Sequence, residues 1–346
     1  MARTYAESVT TPAAAAALGS SRPPFVSLLS DFGTRDPSAG IMRAVVFGIC
    51  RDVNVVDLAH EVDKFAVRDG ALLLWSAVPY LPVGAHVAVV DPGVGTSRQG
   101  LAIQTQRGDF LVGPDNGLLM PAAARLGGIT KVHALENPRY RLSPVSTSFH
   151  GRDIFAPAAA HLADRTAIED LGRPLDPRRL VELDWPRPEV RPGSVRSSVV
   201  YVDTFGNVKL SALEADVQKA LPNLLANEPL IVRVTRGGET REINVVWAST
   251  FGSVAEGAPL LFPDSYGRTC LAIHQGSAAA RFDLEEDVEI SVSRPPQPAR
   301  PARPPRSAGP PRPPGPPPPP RRTIPRPSYP TAYGPPMLHL VRASRP

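Results

Sequence analysis

Residues 86–98 read HVAVVDPGVGTSR. Val87 to Val90 form an unbroken apolar run, the pattern of a strand buried on both faces. The run stops at Asp91-Pro92-Gly93, with Gly95 and Thr96 following. A buried strand that ends on an acid and enters a Gly/Pro turn delivers that carboxylate to the sheet's carboxyl edge. Open α/β sheets bind their ligands at that edge. Arg98 lies far enough along for the turn to fold back and pair with Asp91. Turn chemistry alone explains Asp91 equally well, because Asp is common in turns, so the remainder of the chain decides.

Upstream, Phe25 to Ser30 (FVSLLS) is a second buried strand, broken by Asp31-Phe32-Gly33-Thr34. Ile41, Val45, Val46 and Ile49 fall at helical spacing, predicting a helix from about Ser38. Val53 to Leu58 is a strand ending at His60-Glu61, and Arg68 to Val78 a helix with Ala71, Leu72, Leu74, Trp75 and Val78 on its apolar face. Downstream, Leu101–Gln104 and Phe110–Val112 read as a hairpin. Pro114-Asp115-Asn116-Gly117 is a strong turn, and Leu118 to Leu126 is helical. The polar insertion STSFHGR (146–152) precedes a helical Ile154 to Leu162. His150 and Arg152 thus stand ahead of a first turn, where backbone N–H groups favour anions. Alternation of strand and helix predicts a mostly parallel sheet covered by helices.

From about Leu180 the texture changes. Pro186, Pro188 and Pro192 mark a linker. Short β-type runs follow at 197–202, 230–235, 242–246, 271–273 and 288–292, predicting a small antiparallel barrel or sandwich. The fold class is therefore α/β. A disordered leader (1–22) is expected before an N-terminal α/β domain with a mostly parallel central sheet (23–182). A linker (183–195), a C-terminal β domain (196–293) and a disordered Pro/Arg-rich tail (294–346) complete the organisation.

The 346 residues include 42 prolines, of which 21 lie from Arg294 onward, together with ten arginines and no Lys, Asp or Glu. Without that tail the chain has 28 basic and 33 acidic residues. The positive net charge belongs to the tail and is weak support for nucleic-acid binding by the folded body. A proline-rich stretch of this kind cannot bury a core. It reads as a solvated extension, with a Pro-motif ligand or weak polyanion contact as lesser readings. Cys50 and Cys270 sit apart in apolar surroundings and read as free thiols of a reducing, cytoplasmic compartment. No apolar run has the length of a membrane helix, and the alanine-rich start lacks the basic and Leu-rich regions of a signal peptide.

Searches for phosphate-binding, dinucleotide-binding, nucleophile-elbow and H-E-x-x-H patterns find none. The histidines do not pair at metal-ligand spacing, so no metal is expected. What remains is a set of polar clusters, most at strand ends: Asp31; Asp91 with Arg98; His150 with Arg152 and Asp153; Asp203 with Asn207. Each alone reads as a cap or a turn. Four in one chain point to a shared cleft.

The ordered motifs SDFGT (30–34), VVDLAHEV (55–62), HVAVVDPGVGTSR (86–98), PDNGLL (114–119), STSFHGRDIFAP (146–157), VDTFGN (202–207) and DSYG…HQGSAA (264–279) closely resemble the S-adenosylmethionine hydroxide adenosyltransferases. These are relatives of the bacterial fluorinase and chlorinase, and the resemblance spans about residues 25–293. It implies cleavage of S-adenosylmethionine by water into adenosine and methionine. It also implies an N-terminal α/β domain with a C-terminal β-barrel, and a homotrimer with substrate at the subunit interface. Neither a cofactor, a membrane nor a specific nucleic acid is implied.

The resemblance places a catalytic Asp–Arg–His triad on Asp91, Arg98 and His150. His150 would orient or deprotonate the attacking water. Asp91 would stabilise a cationic His150 or hold the water directly, and Arg98 would keep Asp91 ionised. By the same resemblance Asp31 takes the ribose hydroxyls, Phe205 and Phe251 flank adenine and Asn207 reads its edge. Asp203, Ser265 and Asp36 lie near the methionine ammonium and carboxylate. Core packing is the ordinary reading of the two phenylalanines. The halogenating relatives carry a serine at the His150 position and no acid at the Asp91 position, so halogenation is the weaker alternative. A non-catalytic adenosine or S-adenosylmethionine sensor, and a nucleic-acid-associated protein acting through the tail arginines, are further alternatives. One departure stands out: members often have Asp after the aromatic of the HEV…F segment, where this chain has Ala66.

Overall fold

The structure is a computed structural model that describes residues 23–296 and Gly315. The leader expected at 1–22 and nearly all of the tail expected at 294–346 lie outside the described residues. In chain order the first half contains β1 (Phe25–Ser30), α1 (Ser38–Ile49), β2 (Asn54–Ala59), α2 (Val67–Ala77), β3 (Ala85–Val89), β4 (Gly100–Thr105), β5 (Phe110–Pro114), α3 (Met120–Arg125), β6 (Ile129–Ala134) and α4 (Ala156–Ala163).

Six strands form one sheet in the order β2-β1-β3-β5-β4-β6. The pairs β1–β2, β1–β3 and β3–β5 are parallel, and β4 runs antiparallel to both β5 and β6. The expected hairpin and the mostly parallel sheet are both present. β1 and β3 are buried along their whole length because helices cover both faces. Met42 and Val46 of α1 and Ala159 of α4 pack on Val26, Val87 and Val89. Ala71 and Leu74 of α2 and Ala122 of α3 pack on Leu29, Ala88 and Val90. Register fixes the carboxyl edge: Ser30 pairs with Val89, and the Asp31 N–H donates to the Val89 carbonyl at 3.3 Å. Asp31 and Asp91 therefore leave adjacent strands side by side.

The amino edge of the same sheet is locked by a dry polar chain. Ser27 Oγ lies 2.9 Å from His86 Nδ1, and His86 Nε2 lies 3.1 Å from Asp109 Oδ1. Arg107 donates to both Asp109 oxygens at 2.7 and 2.8 Å. His86 and Asp109 are fully buried.

The second half contains β7 (Glu189–Arg191), β8 (Ser194–Val202), β9 (Val208–Leu213), α5 (Glu214–Ala220), β10 (Glu228–Arg236), β11 (Glu239–Trp247), β12 (Pro259–Pro263), β13 (Arg268–Ile273), α6 (Ala278–Phe282) and β14 (Glu289–Ser293). Seven strands close a barrel in the order β8-β14-β10-β11-β12-β13-β9, and β7 flanks β8. Val199, Leu210, Val232, Trp247, Leu271 and Ile290 fill it. The barrel is not wholly antiparallel: β11 and β12 run parallel. Their connection, residues 248–258, carries a 3-10 turn at Phe251–Ser253, a crossover long enough to bring the chain back in the same direction. β7 and the start of β8 fall within the stretch expected to be linker.

The described residues 23–296 pack as one compact unit. The junction between sheet and barrel is marked by a stack. The buried Arg268 guanidinium lies 4.7 Å from the Trp75 ring and 5.1 Å from the Trp185 ring, with Arg125 at 4.0 Å on Trp75. Arg268 donates to the Leu210 and Ser211 carbonyls, each at 3.2 Å.

Candidate functional site

Beyond β3 the chain makes two successive turns. Val94 N–H donates to the Asp91 carbonyl and Thr96 N–H to the Gly93 carbonyl, both at 3.2 Å. The turns bring Arg98 back onto Asp91. Arg98 Nε donates to Asp91 Oδ1 at 3.1 Å, and Arg98 Nη2 donates to Asp91 Oδ2, a forked, charge-assisted pair. Gly95 (φ +78°) is obligatory here, since a Cβ would stand 2.7 Å from the Thr147 carbonyl oxygen. That contact seats the Asp91–Arg98 loop against the segment carrying His150.

His150 precedes a π-turn at Gly151–Phe155 that leads into α4, so the helix expected from Ile154 opens on a wider turn. Asp153 holds this segment: its Oδ2 accepts from Ser146 N–H at 2.8 Å and its Oδ1 from Arg152 Nε at 2.6 Å. Arg152 is thereby turned to Asp153 rather than offered to an anion. Gly151 lets Phe32 approach, as a Cβ would lie 3.0 Å from that ring.

Arg98 Nη2 also lies 2.9 Å from His150 Nδ1. A guanidinium only donates, so Nδ1 accepts and the proton of the neutral imidazole sits on Nε2. Burial, then the nearby Arg98 charge, hold the His150 pKa below the ordinary histidine value against the pull of Asp91. His150 is thus neutral near pH 7, and Arg98 stands between it and Asp91.

Asp31, Asp36, Asp91 and His150 line one cavity of about 270 Å³, together with Lys64 and Phe65. Asp31 is largely buried, and its Oδ2 accepts from Phe65 N–H at 3.0 Å. Lys64 Nζ donates to the Asp31 carbonyl. Asp36 Oδ1 accepts from Ser38 N–H at 2.8 Å, which holds its carboxyl below the ordinary value. Lys64 and Phe65 were not singled out from sequence. Phe65 is 67% exposed at φ +65°, a conformation without a signature in an aromatic residue. Ala66 is the N-cap of α2 and supplies no side-chain cap, so the departure noted at this position removes a helix cap.

The other five expected residues, Asp203, Phe205, Asn207, Phe251 and Ser265, line a different cavity of about 640 Å³ on the barrel. The two cavities share no lining residue. Asp203 knits its own turn: it accepts from Phe205 N–H at 3.0 Å, Asn207 N–H at 2.9 Å and Asn207 Nδ2 at 3.0 Å. Gly206 completes the turn where a Cβ would meet Ser277 Oγ at 2.0 Å. The turn leaves Phe205 78% exposed, opposite to the core packing an isolated phenylalanine suggests. Phe251 packs on Phe262, ring centroids 4.8 Å apart. Ser265 sits in a turn organised by Asp264, whose Oδ1 accepts from Tyr266 and Arg268 N–H at 2.9 Å and whose Oδ2 pairs with Lys209 at 2.6 Å. Asp264 and Lys209 are structural partners that sequence reasoning passed over. No helix among the described residues is long and apolar enough to cross a membrane.

Comparison with known proteins agrees with this architecture. Residues 26–172 match the SAM hydroxide adenosyltransferase N-terminal domain, and residues 197–291 match the corresponding C-terminal domain. An (R)-S-adenosyl-L-methionine hydrolase of Salinispora tropica is 42% identical over 258 residues, covering 74% of this chain and 92% of that protein. A fluorinase of Actinopolyspora mzabensis is 24% identical over 297 residues, covering 78% and 97%. The crystal structure of an uncharacterized conserved protein from Thermotoga maritima superposes with a TM-score of 0.73 at 33% identity, covering 78% of this chain and all of that one.

Proposed function

This chain belongs to the SAM hydroxide adenosyltransferase family, and we propose that it hydrolyses S-adenosyl-L-methionine to adenosine and L-methionine. One observation carries the reading: a single cavity gathers Asp31, Asp36, Asp91 and His150, with Arg98 bridging Asp91 and His150 behind it.

In the proposed reaction a water oxygen attacks C5′ in line with the sulfonium. The C5′–O bond forms as the C5′–S bond breaks, and its electron pair returns to sulfur as the neutral thioether of methionine. Asp91 accepts a hydrogen bond from the water and takes the proton it sheds. His150 donates from Nε2 to the water oxygen, because its Nδ1 is occupied by Arg98. Of the roles open to His150, orientation is favoured over deprotonation, since Nε2 already bears the proton. In-line positioning supplies the larger part of the acceleration. The Asp91 carboxylate repels a desolvated halide, which supports water over chloride or fluoride as nucleophile.

Asp31 binds the ribose diol and Asp36 the methionine end. The barrel cavity takes adenine between Phe205 and Phe251, with Asn207 at its edge and Ser265 beside Asp203 nearer the methionine group. Because the two halves occupy separate cavities, the complete site is assembled between copies of the chain, as a homotrimer would provide. The reaction uses no cofactor or metal, so a chelator leaves turnover unchanged, and it involves no nucleic acid. The buried free thiols Cys50 and Cys270 suit a cytoplasmic setting.

Chromatography of S-adenosylmethionine incubated with the protein, with and without chloride, tests the proposal. Adenosine in both samples supports it, and a chlorinated nucleoside moves the protein to the halogenases. Tight binding without product over hours replaces it with the sensor reading.

A further inference from the structure

The turn Pro114-Asp115-Asn116-Gly117 touches neither cavity, yet it grips both feet of the loop that carries Asp91 and Arg98. Asn116 Nδ2 donates to the Val90 carbonyl at 2.8 Å, one residue before Asp91. Asp115 N–H donates to the Gln99 carbonyl at 2.9 Å, one residue after Arg98. Asn116 Oδ1 in turn accepts from Leu118 N–H at 3.2 Å, which fixes the amide's orientation. Gly117 (φ +91°) permits the turn, because a Cβ there would lie 2.8 Å from the Leu183 backbone. Asp115 Oδ1 accepts from Val181 N–H at 3.0 Å and ties the turn to the following segment.

We infer that Asn116 is a positioning residue for the hydrolysis, holding the Asp91–Arg98 loop at the spacing at which Arg98 reaches Asp91 and His150 together. The argument is geometric. Residues 90 and 99 bracket the loop, and a hydrogen bond from the 114–117 turn reaches each of them, beside the Gly100–Pro114 pairing of β4 with β5. Without the Asn116 donor, the Val90 carbonyl loses its partner and the strand end that aims Asp91 is released. A displacement of about 1 Å at such a site can lower turnover a hundredfold. The charged groups around His150 are Arg98, Asp91, Arg141 and Asp153. Of these, Arg98 is the one that contacts its ring, so a loosened loop registers in the histidine's titration.

This inference rests on the proposed reaction, and the test separates the two. Asn116→Asp removes the donor while keeping the oxygen that accepts from Leu118. Asn137→Asp is the matched control: Asn137 Nδ2 donates to the Asp170 carbonyl at 2.7 Å and its Oδ1 accepts from Arg139 N–H at 3.1 Å, away from both cavities. For N116D the expected result is a kcat at least about tenfold lower per folded enzyme. KM should be little changed, and His150 should titrate at higher pH by NMR. N137D should lose stability alone. An N116D variant with wild-type kcat and wild-type His150 titration overturns the inference, as does an equal loss of kcat in N137D. If the wild type forms no adenosine but N116D still raises the His150 titration, the clamp stands and the proposed reaction alone falls.

Discussion

Acid should weaken this protein measurably through one carboxylate remote from the site. Burial alone would push the Asp109 carboxyl up. Hydrogen bonds from His86 and Arg107 outweigh it and hold the pKa at about 2, against an ordinary 3.8. A depressed folded pKa means that the stabilisation is complete above the unfolded value and is lost as pH falls through the folded one. At about 1.4 kcal/mol per unit, the ionised Asp109 contributes roughly 2 kcal/mol at neutral pH, of which about 1 kcal/mol is gone by pH 3. Asn at this position has the shape of the protonated acid but no charge to lose. Urea unfolding of wild type and Asp109→Asn at pH 7, 4 and 3 should show a gap that narrows by about 1 kcal/mol between the first and last. Any fixed penalty from the amide facing Arg107 cancels in that difference. A gap that stays constant or widens on acidification would refute the reasoning.

His150→Asn should lower kcat by about a hundredfold or more while leaving KM nearly unchanged, checked by adenosine release. The acid limb of wild-type kcat should lie below the ordinary histidine range, because protonating Nδ1 costs the Arg98 contact. In Arg98→Gln the limb should move to higher pH, since a depressing cation is removed while Asp91 remains; a pH–rate profile decides. Mixing His150→Asn with Phe251→Ala, each weak alone, should restore activity on subunit exchange if the site spans copies, and no recovery would confine it to one chain. Ala66→Ser should supply the missing cap of α2 and raise stability by about 0.5–1 kcal/mol, read from the melting temperature.

The α/β half was largely readable from sequence because its central strands β1 and β3 are buried along their whole length, which leaves mostly apolar runs that each give way to an acid, Asp31 and Asp91. The barrel was less so. β9 carries Lys209 and Ser211, which look like surface residues. Both have side-chain partners, Lys209 in Asp264 at 2.6 Å and the buried Ser211 in Ser197 at 2.9 Å, which spacing along the chain does not show. β12 is only five residues with proline at both ends, which reads as a break. Asp91 and Arg98 were found from strand-end chemistry, whereas the roles of Phe205 and Phe251 came from resemblance alone. The division of nine of the ten expected residues between two cavities, with Arg98 behind one of them, has no linear signature, because chain order does not say which way a loop faces. His86 within an apolar run was a sign of the buried Asp109 chain that pattern reading passed over.

The Trp75–Arg268–Trp185 stack gives the molecule a built-in optical reporter. Two of its three tryptophans flank one cation at the seam, and the third, Trp247, lies in the barrel core. Parting the seam would strip Arg268 of both rings and expose a guanidinium whose burial already lowers its pKa to about 10. Neither half therefore melts without disturbing the other, and the emission of Trp75 and Trp185 should change in a single step with that of Trp247. A fragment cut in the 183–195 stretch would carry half of this stack to its surface, as an uncovered aromatic ring or an unstacked cation.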